Sequence, residues 1–388
     1  MIDGLHLDET FLSEDHQALR SAVRRFVHEQ MLPEVDTWEA QRRLPRSLFK
    51  TMGEVGLLGL SVPVELGGQG AGVRGALILH EELGRSTYGG LGSSIGAHAD
   101  FSAAHLVRSG TPEQQERFLP GYLDGSIICG LGVTEPGASS DIARMSVRAV
   151  RDGDDYVLNG TKTLITNADI GDLFFVVART GGPDSGRRGL SLFAVPRDLE
   201  GFANGTTFEK LGWHCSNTGE LVFSGCRVPA TNLIGEEGGG FLSVLGGLDH
   251  ERLCLSAQAI GLARAALDET LTAVRDRPAY GRTLWDLQAV RHRIAELTAE
   301  LAAATTLVYH LAALADQGRD IRAGVAAVKA SVPELANRIA YAGTQLAGGA
   351  AFLDDSTLAR IARDTRFLAV AGGSTVVMRD EVARAVGR

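Results

Sequence analysis

The chain has 388 residues, 44% of them hydrophobic and 22% charged, with a formal net charge of −9. That length exceeds what a single core usually fills, so two or three packed units are expected, and the acidic balance argues against nucleic acid as a partner. Four scattered cysteines (Cys129, Cys215, Cys226, Cys254) form no C-x-x-C pair and no disulfide framework. With an acidic N-terminus and no stretch reaching the length of a membrane span, a reducing, cytoplasmic setting without membrane contact is expected.

From Ser13 to about Gly121 apolar residues recur at three and four, as in Ala18, Leu19, Val23, Phe26 and Val27 and again over Leu77 to Leu83, which predicts helices. The runs Leu66–Gly70 and Tyr88–Gly92 read as loops, and Thr111-Pro112 as a helix start with Thr111 at the N-cap. Three arginines between Arg20 and Arg25 share their helix with Glu14, Asp15 and Glu29 and read as a solvated face. Between about Gly125 and Gly235 the period falls to two. Apolar runs on either side of Asn159-Gly160 predict a hairpin there, and Phe174–Ala178, Leu190–Val195 and Glu220–Phe223 predict further strands of a small sandwich or barrel. After Gly238-Gly239-Gly240, Ala/Leu-rich helices run from about Leu248 to Ala315 and from Ile321 to Leu346. The reading is an α+β chain: a helical unit over 1–124, a β unit over 125–238 and a helical bundle over 239–388. The histidines show no H-E-x-x-H or similar ligand spacing, so no metal is expected, and no G-x-S-x-G elbow or P-loop lysine is present.

Five separate stretches carry a resemblance. Gly132-Val-Thr-Glu-Pro-Gly-Ala-Ser-Ser-Asp141 is similar to a T-E-P-G-A-G-S-D motif, Thr163–Asn167 to K-x-W-I-T-N, and Gly219–Pro229 to E-L-x-F-x-x-V-R-V-P. Arg277-Pro-Ala-Tyr-Gly281 with Gln288 is similar to R-x-x-F-G…Q, and Gln345–Gly349 to Q-x-x-G-G. In this order and spacing they resemble the acyl-CoA dehydrogenase family over nearly the whole chain. The resemblance implies that family's fold, ending in a four-helix bundle, with FAD as cofactor and a homodimer or tetramer whose flavin sites are each built from two subunits. It also implies an acyl thioester as substrate and an electron-transfer flavoprotein as acceptor.

Carried over residue by residue, the resemblance places Leu131, Val133 and Thr134 along the flavin edge and Ser140 by the pyrophosphate and the substrate. Thr166 would offer a hydrogen bond to N5, and Leu164 would cover the ring where relatives place Trp or Phe. Arg277, Gln288, Gln345 and Gly349 would serve a neighbouring subunit's cofactor, and Ser374 would donate to the cofactor. Taken singly, each fragment has a plainer reading: a Pro-Gly turn at Thr134–Asp141, a solvated helix-end cation at Arg277, an exposed helical residue at Gln288.

Desaturation between Cα and Cβ needs a desolvated carboxylate on the face of the acyl chain opposite the flavin. Many relatives supply it from a C-terminal Y-E-G-T motif, but this chain has Ala371-Gly372-Gly373-Ser374 there. The isovaleryl- and long-chain-like branch instead uses a glutamate in an L-x-x-E-R-L stretch, matched here by Leu248-Asp-His-Glu-Arg-Leu253. Glu251 is thus the candidate base, with Arg252 shaping the pocket. The competing reading makes Asp249 an N-cap and Glu251 a first-turn residue favouring the helix dipole. The Gly372 N–H would hold the enolate-like oxygen. Ala371 and Val376, where the family commonly has Tyr and Glu or Gln, point to a specialised acyl group. An acyl-carrier-protein thioester, a flavin monooxygenase on the same scaffold and a binding protein without turnover are the alternatives.

Overall fold

In the computed structural model of the chain, which describes residues 10–139 and 141–387, the N-terminal part is helical throughout. Its elements are α1 (Glu14–Phe26), α2 (Val35–Gln41), α3 (Arg46–Glu54), α4 (Gly72–Arg85), α5 (Gly89–Gly96), α6 (Ala103–Ser109) and α7 (Pro112–Leu123). Ser13 caps α1 by accepting from the His16 N–H, and α7 opens with the predicted Thr111 cap, completed as a capping box by Gln114. Tyr88–Gly92, expected as a loop, instead begins α5. The helix tolerates its glycines because it is buried against neighbours that leave no room: a Cβ at Gly90 would lie 2.6 Å from Cys215 Sγ, and one at Gly92 2.5 Å from the Gln258 amide carbon.

Arg20 of α1 departs from expectation, whereas Arg24 and Arg25 are exposed as expected. Arg20 is only 6% exposed; it donates to Glu81 Oε2 at 3.0 Å, and Tyr309 Oη donates to the same oxygen at 2.6 Å. Arg264 reaches Glu81 Oε1 at 3.1 Å. Burial works against the charge of Glu81, yet Arg264 and Arg20 outweigh it and hold the carboxyl below its ordinary range. The charge pattern of α1 alone did not show that Arg20 and Arg24 pair with carboxylates some sixty residues on.

The central part is an eight-stranded mixed sheet formed by β1 (Cys129–Gly132), β2 (Arg148–Asp152), β3 (Asp155–Thr166), β4 (Leu173–Arg179), β5 (Leu190–Pro196), β6 (Phe202–Thr207), β7 (Thr218–Pro229) and β8 (Leu233–Ile234). The strand order is β6-β7-β3-β2-β4-β5-β8, with β1 parallel to β4. Both faces of β4 are covered, so it reads as a continuous apolar run: Leu173, Phe175 and Val177 pack toward α7 and Val244, while Phe174, Val176 and Ala178 pack toward Tyr156, Leu158 and Phe223. The expected turn at Asn159-Gly160 is absent. β3 runs straight through it, Gly160 sits at φ 131 in a register shift against β7, and the chain turns earlier, between Asp152 and Asp155 at Gly153 (φ 63).

The C-terminal part is a bundle of α8 (Gly240–Asp276), α9 (Gln288–Asp316), α10 (Arg322–Ala347), α11 (Thr357–Leu368) and α12 (Thr375–Val386). Of the described helices, α9 is long and apolar enough by composition to cross a membrane, contrary to the sequence expectation; in the structure it packs within the bundle, where Val290, Ile294, Leu297, Leu301 and Val308 are buried. Helix α8 starts eight residues earlier than the periodicity suggested. Asp249 is therefore no N-cap, and Glu251 lies about three turns inside the helix, away from the helix-dipole end.

Candidate active site

Glu251 and Gly372 meet, although 120 residues separate them. A Cβ built on Gly372 would lie 3.2 Å from Glu251 Oε1 and 2.8 Å from Leu255 Cδ1, so any side chain at 372 would enter the space that the Glu251 carboxyl holds. The 372–373 turn requires glycine for its backbone as well, with φ of 65 and 109. Two buried cations pin it: Arg252 Nε donates to Gly372 O at 3.0 Å, and Lys329 Nζ donates to Leu368 O at 2.8 Å and Gly373 O at 3.1 Å. The rest of the Arg252 guanidinium is taken by Glu381 at 3.2 Å. The Gly372 N–H has no protein acceptor among the described residues.

Glu251 as a residue keeps a little accessible surface, but its carboxyl is crowded by protein. Burial pushes its pKa up to about 7, against the pull of Arg252, Lys329 and His250. Burial likewise brings Lys329 down to about 8, with Glu251 opposing it. A carboxyl with that value changes protonation near neutrality, as a general base requires. The sequence reading missed Lys329, whose signal was a lone lysine in the Ala/Val-rich stripe of α10.

A second group of candidates gathers where β1 lies against the end of β3. Leu131, Val133, Thr134 and Thr166 are half-buried, and Leu164 is 54% exposed. Leu164 sits at φ 58 in a bulge between Lys162 and Ile165, a left-handed conformation unusual for leucine that aims its side chain away from the protein. An apolar side chain held outward at a strained position fits the face of a planar ring. Below the Val133-Thr134 segment, Lys162 Nζ bonds Val133 O at 2.9 Å and Glu135 Oε1 at 2.8 Å. Glu135 also accepts from Ser146 N, Ser146 Oγ and Val147 N, and Thr163 N donates to Thr134 O, so the segment is fastened from one side while Val133 and Thr134 remain half-buried. The sequence reading did not single out Lys162 or Glu135. Ser140 lies outside the described residues.

Arg277 is not brought to Glu251, and no contact joins Gln288, Gln345 or Gly349 to either group of candidates among the described residues. Arg277 closes α8 about 39 Å from Glu251 along the helix and donates to Ala347 O at 2.8 Å, while Gln288, Gln345 and Gly349 are exposed. Tyr280 and Phe352, both 92% exposed, belong to the same two connections, after α8 and after α10. Ser374 is the N-cap residue of α12 and makes no side-chain capping bond.

Comparison with known proteins agrees with this arrangement. Residues 13–126, 130–226 and 238–387 match the N-terminal, middle and C-terminal domains of acyl-CoA dehydrogenase, respectively. The chain is 34% identical over 378 residues to the mitochondrial isovaleryl-CoA dehydrogenase of Pongo abelii, covering 96% of this chain and 89% of that one. Among solved structures, it is similar to an acyl-CoA dehydrogenase from Geobacillus kaustophilus at 35% identity and TM-score 0.93, covering 97% and 99% of the two chains. A glutaryl-CoA dehydrogenase from Mycobacterium smegmatis in complex with FADH2 superimposes at TM-score 0.91 and 28% identity, over 98% and 96%. With all three domains matched in order over the described structure, the chain belongs to the acyl-CoA dehydrogenase family.

Proposed function

We propose that this chain is an FAD-dependent acyl-CoA dehydrogenase in which Glu251 removes the α-proton of the acyl thioester. The observation that carries the assignment of the base is the desolvated Glu251 carboxyl, poised near neutrality against the side-chain-free turn at Gly372. When bound, FAD supplies the acceptor for the β-hydride. The chain's own residues do the rest. Glu251 takes the proton into a pocket where either protonation state is accessible, and the free Gly372 N–H donates to the thioester oxygen as negative charge develops there. Arg252 and Lys329 fix that N–H by holding the carbonyls of the turn. Arg252 thereby shapes the substrate pocket.

In this reading Leu131, Val133 and Thr134 line the flavin edge, Thr166 donates to it, Leu164 covers the ring and Ser374 bonds the cofactor. Ser140 is assigned to the pyrophosphate by resemblance alone. The separation of Arg277 from Glu251 along α8, the exposure of Gln288, Gln345 and Gly349, and the exposed Tyr280 and Phe352 nearby in the chain support their serving a second subunit's flavin in a homodimer or dimer of dimers. The four cysteines are free and buried, which supports a reducing, cytoplasmic setting, and an electron-transfer flavoprotein would reoxidise the enzyme. Anaerobic mixing of the purified yellow protein with saturated acyl-CoA thioesters tests the function: flavin bleaching with release of a trans-2-enoyl thioester is expected. Absence of bleaching by every thioester, or a hydroxylated product formed only with oxygen, would overturn it.

A further inference from the structure

Beside the base, α8 presents a second polar group. His250 Nε2 bonds Asp100 Oδ1 at 2.9 Å, His80 Nε2 bonds Asp100 Oδ2 at 2.9 Å, and Ser61 Oγ donates to Asp100 Oδ1 at 3.3 Å. Asp100 belongs to the π-helical segment Ala97–Ser102 and is buried. Burial opposes its charge, but the two imidazoles hold it well below the usual carboxylate range. A carboxylate can only accept, so His250 Nε2 carries the hydrogen, and in the neutral ring Nδ1 is left as an acceptor.

Among the described residues that Nδ1 has no hydrogen-bond partner, and 15% of the His250 side chain remains accessible. One turn on, Cys254 Sγ lies 3.7 Å from His250 Nε2 and feels the charges of both Asp100 and Glu251, so this cluster and the base border the same stretch of α8. A purely alkyl chain laid against that nitrogen would strip water from it and replace it with nothing.

We infer that the acyl group whose α-carbon meets Glu251 carries a hydrogen-bond donor beyond its β-carbon, a hydroxyl or an amine, and that His250 accepts from it. The inference rests on Glu251 as the base. Asp100 is the positioning residue: it sets which ring nitrogen is free and, with His80 and Ser61 behind it, which way the imidazole faces. His250 is the specificity residue.

The test is anaerobic reduction of the FAD-loaded enzyme by acyl-CoA thioesters of matched length, bearing at the chain end a methyl, hydroxyl, amino or carboxyl group. Hydroxyl or amino thioesters are expected to bleach the flavin with an apparent second-order rate constant about tenfold or more above that of the methyl compound. In His250→Phe and in the isosteric Asp100→Asn that ratio falls to about one, with flavin content reporting that each variant is folded. Equal or faster reduction by the methyl compound, preference for the carboxyl compound, or a ratio unchanged in both variants overturns the inference while leaving the dehydrogenase reading intact. No bleaching by any thioester overturns both.

Discussion

Replacing Glu251 by Gln should make the protein more stable at neutral and alkaline pH, because the wild-type enzyme holds an ionisable group where ionisation is unfavourable. The carboxyl is raised from an ordinary 4.5 to about 7 chiefly by burial. Below pH 4.5 it is protonated in both the folded and unfolded chain and contributes nothing. Between 4.5 and 7 the unfolded chain ionises while the folded one keeps its proton, so wild-type stability falls by about 1.4 kcal/mol per pH unit. Above 7 both states are ionised and the full difference, at most about 3 kcal/mol, remains. Glutamine does not titrate, so the Glu251→Gln advantage should grow from pH 4.5 to 7 and then level off. With an unfolding entropy of about 2.1 cal/mol/K per residue, a chain of 388 residues converts that to a Tm difference of about 4 °C. Paired thermal melts of wild type and variant across pH 4.5 to 8.5 read it directly. A Tm difference that stays constant with pH, or one that favours wild type above pH 7, would refute the claim that Glu251 is desolvated.

Lys162→Met leaves Glu135 buried without its cation, so a loss of about 3 kcal/mol is expected in denaturant titration, together with a lower ratio of flavin to protein absorbance as the Val133-Thr134 segment loosens. Adding Glu135→Gln should recover part of the stability. Leu164→Gly removes the left-handed strain and should stabilise the apoprotein by roughly 0.5–1 kcal/mol while weakening FAD binding in a fluorescence titration; unchanged affinity would remove Leu164 from the ring face. Glu81→Gln strips the shared anion from Arg20 and Arg264 and should cost at least about 3 kcal/mol, seen as a lower denaturation midpoint with FAD content per folded molecule preserved.

Local patterns in the sequence supplied most of the candidate residues, and what they did not show has physical causes. The spacing around Glu251 and the absence of a side chain at Gly372 pointed to each other through the family resemblance, and the structure sets them 3.2 Å apart as Cβ position and carboxyl oxygen. Lys329, Asp100 and His80 went unnoticed because their roles depend on partners far along the chain, which periodicity does not report. The Asn159-Gly160 signal misled because a glycine at positive φ serves a bulge inside a long strand as well as a turn. Helix α5 was hidden for a related reason: glycines that usually break helices are here required by close packing.

The measurement bearing most directly on the central claim is stopped-flow reduction of wild-type and Glu251→Gln enzyme, both loaded with FAD, by the same acyl-CoA under anaerobic conditions. Wild type should bleach, with a rate in the free enzyme that rises with pH through about 7 as the base ionises. The variant should stay yellow, with reduction at least about a thousandfold slower. Bleaching of Glu251→Gln at a rate near that of wild type would contradict the assignment of Glu251 as the base.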